Sequence, residues 1–149
     1  MIRRLLALGA AAAALLVQPA EAKGNIAVTT RNAGPLVAWY RATFGLSPVR
    51  TIHPEGENLT VTMLDGALAT VEILSRPDAQ QAGSAMRRIG IYKAGFMVDD
   101  LDPWIAKWRA ANLMFAGGPF DDEMTGLRSV ILADPDGNLI HVTAPLPKP

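Results

Sequence analysis

Residues 130–145 read "VILADPDGNLIHVTAP": an apolar run, the turn Asp134-Pro135-Asp136-Gly137-Asn138, and a second apolar run. Pro and Gly suit the central positions of a tight turn, so the stretch predicts a hairpin with strands at Leu127–Ala133 and Leu139–Ala144. Strand alternation puts Ile140 and Val142 on one face and His141 and Thr143 on the other. Upstream, residues 93–108 read "KAGFMVDDLDPWIAKW". This is an apolar strand (Tyr92–Val98) ending in an acidic pair, then a helix near Pro103–Ala111. Asp102 before Pro103 reads as an N-cap followed by a proline at the first helical position. A short strand near Leu113–Ala116 completes an order of strand, helix and three strands.

The first half repeats that order. Residues 25–46 read "NIAVTTRNAGPLVAWYRATFGL", predicting a strand at Asn25–Arg31 and a helix at Ala33–Phe44. Strands follow at Ser47–His53, Leu59–Leu64 and Leu68–Ser75. The halves align by a shift of 68, pairing Asn25 with Lys93, Asn32 with Asp100, and Trp39-Tyr40 with Lys107-Trp108. Near the end the shift slips by one, and Glu72 matches His141. Each helix carries an apolar stripe, Leu36, Tyr40 and Phe44 in the first and Trp104, Ile105 and Trp108 in the second, as expected for packing on a sheet. The expected fold class is α+β: two βαβββ modules, about 25–75 and 91–144, forming a curved mixed sheet around a cleft. The segment Arg76–Gly90 reads as the linker between them.

Residues 1–22 read differently. Arg3 and Arg4 precede the apolar run Leu5–Val17, which Pro19 ends, and Ala20-Glu21-Ala22 matches a small-residue cleavage site. Thirteen residues are too few to span a bilayer, which takes about 20. The stretch reads as an export signal, which leaves 23–149 as a single domain in the periplasm or outside the cell, with no stable membrane insertion once the leader is removed. Lys+Arg 14 balances Asp+Glu 14, so no basic surface favours nucleic acid. Half of the residues are apolar and 19% are charged, which excludes disorder as the main state. With no cysteine, disulfides, thiolate nucleophiles and Cys-bound zinc are excluded.

The twice-repeated strand, polar turn and amphipathic helix, closed by "DPDGN" before the last strand, resemble the glyoxalase / bleomycin-resistance / extradiol dioxygenase (vicinal oxygen chelate) superfamily. The likeness spans Asn25 to about Ala144. It implies a single glyoxalase-like domain over 23–149. It also implies metal-ligand positions at the start of the first strand and the middle of the last strand of each module. Here those positions hold Asn25, Glu72, Lys93 and His141. Alternation places all four on the face away from the helices; a one-residue slip would put Tyr92 there in place of Lys93.

Only Glu72 and His141 are good ligands, Asn25 is a weak amide donor, and the Lys93 ammonium has no lone pair and repels a cation. The first reading is therefore a small-molecule binding protein with no metal, in which Lys93 forms an ion pair with Glu72, bonded to Asn25 and His141. The second is a lyase or isomerase holding one divalent ion on Glu72, His141 and Asn25. The third is a self-associating module, a homodimer whose halves exchange between chains. Arg31, at a strand end, reads as a rim salt bridge or a clamp for a substrate carboxylate. Gly117-Gly118-Pro119 reads as a turn, and His53 and the acidic run Asp121-Asp122-Glu123 that follows the turn read as solvated loop residues.

Overall fold

The structure is a computed structural model that describes residues 23–81 and 89–147. Residues 1–22, expected to be an export signal, residues 82–88 of the linker and residues 148–149 lie outside the described residues. The order is β1 (Gly24–Thr30), α1 (Ala33–Phe44), β2 (Ser47–Ile52), β3 (Thr60–Asp65), β4 (Ala69–Ser75), β5 (Ala94–Met97), α2 (Asp102–Ala110), β6 (Phe115–Asp122), β7 (Leu127–Ala133) and β8 (Leu139–Pro145). The strands form two four-stranded sheets, ordered β1-β4-β3-β2 and β5-β8-β7-β6. In each, the opening strand runs parallel to the last strand of its module and the other pairs are antiparallel.

The repeat is visible in equivalent atoms. The Asn32 side chain accepts from the Gly34 N–H at 3.0 Å, and the Asp100 carboxylate accepts from the Asp102 N–H at 2.9 Å. Both are side-chain turns two residues long that start a helix. Ala27 stands opposite Glu72 in the first sheet, and Gly95 opposite His141 in the second. Capping of α2 thus falls to Asp100; Asp102 is already helical and Leu101 occupies the cap position. α1 ends at Gly45, whose positive φ of 72° lets its N–H reach the Arg41 carbonyl at 3.0 Å.

Both helices join one core. Leu36, Tyr40 and Phe44 of α1 are buried with Ile105 and Trp108 of α2. The Phe44 ring lies edge-on to Phe96 at 5.3 Å and to Trp108 at 6.0 Å. The Trp108 indole N–H donates to the Thr43 carbonyl at 3.0 Å, and Lys107 Nζ reaches the same oxygen at 3.2 Å. The Tyr40 hydroxyl lies 3.4 Å from the Asp134 carboxylate, tying α1 to the turn between β7 and β8. Asp134 is buried and accepts from the backbone of Asp136 and Asn138 and from the Asn138 amide.

The largest departure from the sequence reading is β6. It runs through Gly117-Gly118-Pro119, where a turn was expected, and continues to Asp122. The register shifts there, so the strand absorbs these residues as bulges. Asp121 and Asp122 therefore end a strand. Asp121 lies 3.5 Å from Arg128, and Asp122 accepts from the Met124 N–H in the turn that follows.

Because Phe44 touches both modules, Phe44→Ala should destabilise the whole chain by about 3–5 kcal/mol, the usual cost of emptying a buried aromatic site. Urea unfolding should show one transition moved to lower denaturant; a loss confined to one module would contradict the shared core.

Candidate functional site

The two edge strands β1 and β5 border a cavity of about 770 Å³, which the turn at Asp136–Asn138 and Gln81 also line. Among the described residues neither edge strand has a second partner, and both strands line this space. Gln81 Nε2 donates to the Asp136 carbonyl at 3.4 Å. Sequence reasoning passed over Gln81, whose only signal was its place in a linker.

Asn25 and Lys93 both line the cavity. Glu72 and His141 sit one strand further in, on β4 and β8. Asn25 Nδ2 donates to Glu72 Oε1 at 2.9 Å. A carboxylate only accepts, so the amide nitrogen must face it. Lys93 precedes β5, in step with Gly95 and with the exposed Met97, while Phe96 between them is buried in the core. That fixes Lys93, not Tyr92, on the His141 face. The expected Lys93–Glu72 ion pair is not formed among the described residues. The two groups stand on different sheets, and Glu72 takes Asn25 as its partner.

His141 is half-buried, and its Nε2 is buried with no hydrogen-bond partner among the described residues. Burial, and then the positive charge of Lys93, hold the imidazole below its ordinary value of 6.5, so it is neutral at neutral pH. Asn25 and Glu72 thus form a hydrogen-bonded pair, and on the other sheet the charge of Lys93 acts on His141. The Arg31 Nε donates to the Ala79 carbonyl at 2.6 Å, and no carboxylate pairs with Arg31 among the described residues. His53 bonds through Nδ1 to Thr60 Oγ1 at 3.1 Å, away from these pairs.

A family model described as Glyoxalase/Bleomycin resistance protein/Dioxygenase superfamily matches residues 24–142. The chain belongs to this superfamily. A search of curated proteins finds no match. Among solved structures, a glyoxalase family protein from Enterococcus faecalis superposes with a TM-score of 0.67 at 19% identity, covering 81% of this chain and 94% of that one. The trypanothione-dependent glyoxalase I of Leishmania major gives 0.59 at 15%, covering 80% and 84%. A lactoylglutathione lyase from Agrobacterium tumefaciens gives 0.56 at 20%, covering 85% and 96%. At these identities the likeness is one of fold.

Superfamily members often use a divalent metal. The donors here do not fit one. Lys93 offers a charge and no lone pair, and one Glu72 oxygen is engaged by Asn25. His141 alone presents an unclaimed nitrogen. Among the described residues, no three His, Cys, Asp or Glu side chains come together.

The depressed His141 has a consequence for stability. Between its folded value and 6.5 the unfolded chain binds more protons than the fold does. Stability from this group is thus complete above 6.5 and is lost as pH falls through the folded value. A proton-NMR titration should place His141 below 6.5. Lys93→Met should raise it without restoring 6.5, because burial remains. A His141 that titrates at or above 6.5 would contradict the description.

Proposed function

We propose that this protein is an exported superfamily member that binds a small molecule with an anionic or carbonyl group, without a divalent metal. The observation that carries the reading is Lys93, whose ammonium shares a sheet face with His141 where a metal-binding site would need a lone pair. An anion gains from that charge, and the neutral His141 beside it adds no repulsion. Asn25, linked to Glu72, is the polar group on the other wall of the cavity. The leader at 1–22 supports export to the periplasm or the medium. No helix among the described residues is long and apolar enough to cross a membrane.

A second reading is a divalent-metal lyase or isomerase, the kind of enzyme named among the structural relatives. The unpartnered His141 Nε2 favours it, and Glu72 and Asn25 would be the remaining donors. A homodimer is the third reading, supported by the free edges of β1 and β5, which invite pairing with another strand.

Titration with Zn²⁺ separates the first two. The wild-type chain should take up the ion weakly. Lys93→His, which exchanges the ammonium for a lone pair, should bind it about tenfold more tightly or better, equivalent to about 1.4 kcal/mol. Tight uptake by the wild type, unchanged in Lys93→His, would overturn the metal-free reading.

A further inference from the structure

The His141 face of the second sheet has an uneven surface, and the strand register explains it. One row across β5, β8, β7 and β6 holds Gly95, His141, Ile131 and Gly117. The next row holds Met97, Thr143, Ser129 and Phe120. The first row has glycine at both ends, so bare backbone flanks His141 and Ile131. A Cβ added to Gly95 would meet only the His141 carbonyl oxygen, at 3.7 Å. In the second row Met97 and Phe120 stand 63% and 45% exposed, with Ser129 and Thr143 buried between them. Three strand spacings separate β5 from β6, about 14 Å at roughly 4.8 Å each. The face is thus a shallow floor with an apolar post at either side.

Phe120 owes its position to the bulge. From Gly117 to Phe120 is three residues, while the paired stretch from Ile131 to Ser129 is two. Without the extra residue, alternation would put Pro119 on this face and turn Phe120 toward the helices. Gly118 makes the bulge feasible. Its φ is +82°, and a Cβ there would lie 2.6 Å from the Ser129 carbonyl oxygen. The strand gives up regular pairing to bring an aromatic ring onto the face that carries His141.

We propose that this recess takes an aromatic carboxylate, its ring system on the Gly95 floor beside Met97, its carboxylate at Lys93 and His141. This inference rests on the ligand-binding reading of Lys93 and His141 and adds the class of ligand. A flat ring suits a floor without side chains, and thioether and aromatic posts favour a π face over an alkyl chain. Lys93, Gly95 and Met97 follow one another on the same side of the chain, so charge, floor and post lie in line. The distance to Phe120 leaves room for more than one ring.

The test uses the full chain, with 2-naphthoate and propionate as probes and the His141 ring resonances as the readout. Naphthoate should bind about tenfold or more tightly than propionate, a difference of about 1.4 kcal/mol. Gly95→Val and Met97→Ala should each remove most of that advantage, lowering naphthoate affinity far more than propionate affinity. Lys93→Met should weaken both probes. Thermal unfolding checks each variant, and Met97→Ala decides alone if Gly95→Val does not fold. Equal affinities, or naphthoate binding untouched by the Met97 and Gly95 changes, would overturn the aromatic recess and leave the Lys93 reading standing. Failure of both probes to move His141 would overturn both.

Discussion

The carbonyl of Thr43 is where two modules become one molecule. It lies in the last turn of α1, where helical carbonyls have no partner within the helix. The buried Trp108 indole N–H takes it, joined by the Lys107 ammonium. A buried indole donor without an acceptor is costly, so this contact sets the seat of α2 against α1. Phe44 then fills the corner between Phe96 and Trp108. With the helices fixed on a common core, the opposite faces of the two sheets are left for polar work, and β1 and β5 border the cavity between them.

What those faces can do follows from where the charges stop. Glu72 is satisfied within its own sheet by Asn25. Lys93 has no carboxylate partner among the described residues, and its charge helps to keep His141 neutral. A neutral imidazole with a buried, unused nitrogen beside an ammonium is suited to an anion or a polarised carbonyl. The same pair opposes a divalent cation, because the ion would meet one imidazole nitrogen and a like charge. Fold and family membership do not decide between these chemistries.

Much of this was legible from the residues. Period-two patterning and the Asp134–Asn138 turn gave the strand order, and the 68-residue shift carried the equivalence of Asn32 and Asp100 into matching helix starts. The contacts within the site were less legible. Alternation puts Asn25 and Glu72 on a common face, yet it does not say that Glu72 will prefer the neighbouring amide to a lysine on the other sheet. β6 was misread because Gly-Gly-Pro has the composition of a turn, whereas its partner strand β7 holds it in register through bulges. Phe120 was missed for the same reason: the expected strand stopped near Ala116, short of it. Asp102 was taken for a cap because it precedes a proline, but the geometry of the turn gives that task to Asp100.

The proposed replacement of a metal by Lys93 can be measured by elemental analysis of the protein purified without chelators and without a metal-carrying tag, alongside His141→Ala. Far less than one divalent ion per chain is expected in the wild type, with no change in the variant. One tightly held ion per chain, lost in His141→Ala, would contradict it.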